Sequence, residues 1–163
     1  MQNLRSTATH TGSDAKLSAM AGLTLFGGCS RATLLELGRC FDAATVPAGK
    51  ALERDGDRTR WLYVLLEGAV LVTTDSRAQR VLQPGDCWGD DGRSGSGRCA
   101  HASLALTPVT VLILDRRALG RVTRCSPLVA SRVRRAWVDL GAESAREPEF
   151  SDALVSDPVV SLR

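Results

Sequence analysis

The residues whose types and spacing could do chemistry gather in one stretch, 84–100, which reads PGDCWGDDGRSGSGRCA. Its glycines give backbone freedom. Arg93 and Arg98 carry guanidinium forks suited to phosphate. Asp90 adds a carboxylate, and Cys87 and Cys99 flank the stretch with thiols. Such a loop is equipped to hold something negatively charged. It is not equipped to break bonds: no Ser-His-Asp or paired-carboxylate arrangement stands out, so no enzyme activity is expected. His101 is a lone histidine beginning the next apolar segment, and His10 lies far off near the N-terminus. Two distant histidines do not supply the convergent ligands of a metal site, so no metal is expected. Cys29, Cys40, Cys87, Cys99 and Cys125 are widely spaced with no C-x-x-C pair. They read as free thiols of a reducing compartment, mostly small buried hydrophobes. A redox pair of Cys87 with Cys99 across strands is the second reading.

The elements that must position this stretch are mostly short strands. Trp61 to Leu66 is an apolar run, Glu67-Gly68 a turn, and Ala69 to Thr74 runs back. Arg80-Val81-Leu82 precedes Pro84-Gly85-Asp86. After the loop come AHASLALT and VTVLILD, separated by Thr107-Pro108. Strands this short, with turns this frequent, predict an antiparallel sandwich or barrel. Upstream, Ser30 can cap a helix carrying Leu34, Leu35, Leu37 and Phe41 at near-helical spacing. Downstream, Asp115 caps a short helix, and Pro127 can begin another whose stripe is Val129, Val133, Ala136 and Leu140. Residues 1–20 read as a flexible N-terminal segment, 21–145 as the domain, and 146–163 as a flexible tail.

Length and charge bound the rest. One domain is expected from 163 residues, and 44% hydrophobic with 24% charged residues is ordinary for a globular chain. A net charge of +3 does not by itself argue for nucleic acid. No signal-peptide pattern opens the chain, and no apolar run approaches a membrane span, so a cytoplasmic protein without membrane contact is expected.

The turns carry a resemblance. The Pro-Ala-Gly at 47–49, the Gly-Asp at 56–57, the Tyr63 to Gly68 spacing and the Pro-Gly-Asp-x-x-Gly at 84–89 resemble those of a cyclic nucleotide-binding domain. This is the jelly-roll domain of the CRP/FNR regulators, the kinase regulatory subunits and the gated channels, and the likeness covers roughly 23–140. It implies a mainly β fold: an antiparallel jelly-roll barrel with one N-terminal helix and two C-terminal helices. It also implies that the 84–100 stretch is the phosphate-binding cassette. Trp88-Gly89-Asp90 then stands for Phe-Gly-Glu, and Arg98-Cys99-Ala100 for Arg-Ser/Thr-Ala. A cassette arginine pairs with the cyclic phosphate, free amides support it, and a carboxylate takes the ribose hydroxyl. The implied ligand-binding residues are Gly89, Asp90, Arg98, Cys99 and Ala100, with Arg93 as a substitute phosphate partner.

This sequence departs from the family pattern. Asp90 is one methylene shorter than glutamate, Cys99 replaces a hydroxyl, and DGRSGSG has no apolar turn of helix. Two readings follow. In the first, the chain is a stand-alone, non-catalytic module. It binds cyclic AMP or cyclic GMP, uses no cofactor, and signals to a protein partner, or to a second copy through 127–145, by a hinge at Cys125-Ser126-Pro127. In the second, the cassette has decayed and the fold serves as a protein-interaction or dimerisation module. The resemblance also places a helix-turn-helix after the long helix in DNA-binding members, and the residues after Gly141 do not read as two helices, so DNA is an unlikely partner. Trp137 and Ser144 share a face of the long helix and could meet a base.

Overall fold

The computed structural model describes residues 9–10, 13–58, 61–74, 77, 79–89, 98–99 and 101–136. Among them nine strands form two antiparallel sheets. The first sheet has the order β1-β2-β9-β4-β7, and the second β3-β8-β5-β6. The strands are β1 Thr9–His10, β2 Asp42–Val46, β3 Ala51–Glu53, β4 Trp61–Glu67, β5 Val70–Thr74, β6 Gln79–Leu82, β7 Cys87–Gly89, β8 His101–Ala105 and β9 Val109–Asp115. The helices are α1 Ser13–Gly22, α2 Arg31–Gly38, α3 Leu119–Cys125 and α4 Pro127–Ala136, with 3-10 turns at Thr24–Phe26 and Arg116–Ala118. The fold is the expected one: a mainly β jelly-roll barrel with flanking helices.

The first sheet is sandwiched, which explains the unbroken apolar run of β4. Successive strand residues point to opposite faces. Tyr63 and Leu65 face the barrel interior with Val46, Val70, Val72, Leu82, Val109 and Val111. Leu62, Val64 and Leu66 face the other way, against Phe26, Leu37, Phe41, Val122, Val129 and Val133 of the helical layer. Each such buried side chain contributes about 1.5–3 kcal/mol, so both faces of β4 must be apolar.

The caps match the sequence expectations. The Ser30 hydroxyl accepts from Thr33 N at 3.1 Å, and Asp115 Oδ1 accepts from Arg117 N at 2.8 Å. Ser126 Oγ accepts from Val129 N at 3.2 Å and starts α4 just before Pro127. Two turns require glycine. Gly68 and Gly89 have φ of +89° and +119°, and a Cβ on either would strike backbone, Pro108 O and Trp61 O respectively.

The N-terminus differs from its expectation. The segment to residue 20, read as flexible, holds a short strand paired to β2 and the helix α1, so two N-terminal helices precede the barrel and not one. Met20 is fully buried in the helical layer. Lys16 Nζ donates to Gly38 O at 2.8 Å and Phe41 O at 3.1 Å, tying α1 to the end of α2. Polar composition hid these two anchors. The stripe of α4 is as expected at Val129 and Val133, both buried. Leu140, Trp137, Ser144 and the 146–163 tail lie outside the described residues.

Candidate functional site

β7, ending at Gly89, lies in the first sheet and β8, beginning at His101, in the second. Arg98 and Cys99 are placed by backbone. Arg98 forms a bridge to Arg58. Cys99 N donates to Asp57 O at 2.8 Å, and Gly56 N donates to Cys99 O at 2.9 Å. The Asp55-Gly56-Asp57 turn therefore clasps the segment just before β8. The Arg98 guanidinium lies over that turn, and its Nη1 donates to Gly56 O at 2.9 Å. Arg98 is exposed while Cys99 is buried, as alternation along an extended segment requires.

Gly89 ends β7, paired with Leu62. Its lack of a Cβ serves the close approach of the Trp61 backbone. The neighbouring Trp88 is fully buried and stacks on Tyr63 with ring centroids 5.1 Å apart and planes at 19°. Asp90, Arg93 and Ala100 lie outside the described residues.

Inside the barrel the structure assembles a polar group that sequence reasoning missed. His101 Nε2 donates to Glu53 Oε2 at 2.8 Å. Cys99 Sγ lies 3.5 Å from His101 Nε2 and donates to His101 O at 3.1 Å. Glu53, Cys99 and His101 are all buried. Glu53 stands directly across from Ser103 in the β3–β8 pairing. The buried Ser103 hydroxyl has no hydrogen-bond partner among the described residues, nor has Trp88 Nε1. Burial and then the Glu53 carboxylate push the Cys99 thiol up to about 12, with Asp55 and Asp57 adding to the rise. Burial and then Glu53 likewise raise the Tyr63 phenol well above its ordinary range. The only sequence signal for this cluster was an acidic residue, Glu53, in an otherwise apolar strand.

Cys87 belongs to the helical layer, whereas Cys99 contacts the polar group inside the barrel. All five cysteines are free, so the Cys87–Cys99 pairing is not formed. Cys40 Sγ donates to Glu36 O at 3.7 Å, and burial, then the neighbouring Cys125 thiol, raise the Cys40 thiol above its ordinary range. Of the C-terminal arginines, Arg132 ties α4 to the N-terminal segment. It is half-buried, and its Nη1 donates to Gly27 O at 2.5 Å. Among the described residues no helix is long and apolar enough to cross a membrane.

Residues 44–124 match the family model of the cyclic nucleotide-binding domain. A cyclic nucleotide-gated potassium channel of Mesorhizobium japonicum is 32% identical over 121 residues, which is 74% of this chain and 33% of the channel. The chain thus spans about a third of the length of that curated relative. Among solved structures, a cyclic nucleotide-binding domain from Methylobacillus flagellatus KT superposes with a TM-score of 0.62 at 20% identity, covering 83% of this chain and 82% of that one. The Thermus thermophilus catabolite activator protein gives a TM-score of 0.55 at 26% identity, covering 68% and 55%.

Proposed function

Because residues 44–124 belong to the cyclic nucleotide-binding domain family, we propose that this barrel binds a cyclic mononucleotide of the cyclic AMP or cyclic GMP class and acts as a non-catalytic regulatory module. The carrying observation is Arg98. Its guanidinium is held over the Gly56–Asp57 turn, exposed at the point where the chain enters β8. A planar fork there suits a cyclic phosphate, which accepts paired hydrogen bonds. Gly89, Asp90, Cys99 and Ala100 complete the proposed cassette, with Asp90 taking the ribose hydroxyl. Stacked Trp88 and Tyr63 support this reading by giving the neighbouring strands a rigid floor.

The output in this proposal is α4. It follows the capped break at Ser126 and packs in the helical layer on the far face of the sheet that carries Gly89. Ordering of the cassette would bias the position of α4 and so signal to a protein partner, or to a second copy of the chain through 127–145.

Calorimetry with cyclic AMP and cyclic GMP tests the reading. Binding is expected for the native chain. Arg98→Ala is expected to weaken it by about 10- to 100-fold, the value of a charge-assisted pair. The absence of both binding heat and a thermal shift at millimolar nucleotide would overturn the proposal.

A further inference from the structure

We propose that the arginine face of the C-terminal helices is a docking surface for this chain's own acidic segment, residues 143–157. Residues 116–136 hold seven arginines and no aspartate or glutamate. Arg117, Arg121 and Arg124 recur at helical spacing along one face, and all three are exposed. The neighbouring stripe, Ala118 and Val122, is the one that packs into the core. Arg134 Nη2 lies 3.5 Å from the hydroxyl of Thr123, the residue before Arg124, so a further guanidinium joins α3 from α4. Among the described residues Arg117, Arg121, Arg124 and Arg135 enter no ion pair.

Guanidinium groups gathered on one face repel one another and draw an anionic partner. The chain supplies one. Residues 143–157 carry Glu143, Glu147, Glu149, Asp152 and Asp157 against the single base Arg146. Gly141, between α4 and these acids, is the residue type at which a helix ends and the chain reverses. From Gly141 to Glu149 an extended chain reaches up to about 27 Å, whereas α4, with 10 residues, is about 15 Å long. The acids can therefore return along α4 to the Arg117–Arg124 stripe. Arginine forks and carboxylates pair there by parallel hydrogen bonds. A tether this short holds the segment at an effective concentration on the order of millimolar, so exposed pairs that are weak singly close the contact together. A nucleic acid or an anionic membrane meets the same face only by displacing the segment. Salt opens the contact, because the groups are exposed and the screening length falls from about 8 Å at physiological ionic strength to about 3 Å at 1 M.

The test uses the full chain without nucleotide, so its outcome is separate from that of cyclic nucleotide binding. A nitroxide is attached at Ser151→Cys in a Cys29→Ser, Cys40→Ser, Cys125→Ser background, which leaves only the buried Cys87 and Cys99 as other thiols. In nuclear magnetic resonance spectra the amide signals of Arg121, Arg124 and Arg135 are expected to lose intensity relative to the reduced label, and those of β6 to keep theirs. The loss is expected to disappear at about 1 M salt. It is also expected to disappear in the Arg117→Gln, Arg121→Gln, Arg124→Gln variant, whose three positions are exposed. Loss that survives the salt or the arginine variant would overturn the proposal. So would loss in an isotope-labelled chain mixed with an unlabelled nitroxide-bearing one, which would give the face to a second copy. Undiminished helix signals would overturn it as well, and their shift on adding a DNA oligonucleotide or phosphatidylserine vesicles would name that other occupant. Should the arginine variant unfold, the salt series and the mixed sample decide.

Discussion

Replacing Arg132 with methionine keeps the aliphatic stem and removes the guanidinium that ties α4 to the N-terminal turn. One nitrogen carries the tie. Arg132 Nη1 donates to Gly27 O at 2.5 Å, and lies 3.3 Å from Thr24 O and 3.4 Å from Leu25 O. The short bond is charge-assisted and contributes roughly 1.5–3 kcal/mol. The two longer contacts share what remains of the donor and sit near the distance limit, so they add little. The side chain is half-buried, and water replaces part of the loss. The net cost is therefore about 2 kcal/mol, or a Tm fall of roughly 4–8 °C at this chain length. Urea unfolding followed by circular dichroism measures the free energy. Amide exchange locates it: α4 and the Thr24–Phe26 turn should lose protection while β4 keeps its own. A cost below about 0.5 kcal/mol, or protection lost evenly through the barrel, would refute the view that Arg132 latches α4 to the N-terminal segment.

Further outcomes follow from the same geometry. Gly89→Ala places a Cβ against Trp61 O at a φ of +119°, and should destabilise the fold by about 3 kcal/mol or more in chemical denaturation. Gly85→Ala, with φ of +98° but nothing near its Cβ, should cost less, since only backbone strain acts; equal losses would contradict the argument. Burial holds the Cys87 thiol up to about 12, as it does Cys99. Iodoacetamide at mild alkaline pH should therefore label the partly exposed Cys29 and Cys125 well before either, read by peptide mass spectrometry. A folded pKa raised above the thiol's ordinary value of 9.0 gives stability that is whole below pH 9.0 and lost as pH climbs toward about 12. Melting temperatures should fall across that window, and Cys87→Ala should flatten the fall; a flat native profile would remove the support for buried neutral thiols.

By itself the sequence determined five of the nine described strands, the turns between them and the class of fold, because those signals are local. Turn glycines at 49, 56, 68 and 85 all adopt positive φ, a demand that falls on one residue at a time. The helix caps at Ser30 and Asp115 are local in the same way. The N-terminal helix α1 escaped because its anchor is distant: Lys16 reaches Gly38 and Phe41 across more than twenty residues. The cluster within the barrel was hidden more deeply. Glu53 and His101 are 48 residues apart, and His101 reads as solitary until β3 pairs with β8. Alternation along β3 also misleads, since a register shift between Ala51 and Glu53 buries both Leu52 and Glu53. Tertiary structure alone brought a carboxylate, a thiol and an imidazole together. Their proximity comes from strand pairing and a bulge, and neither leaves a mark in the spacing of residues along the chain.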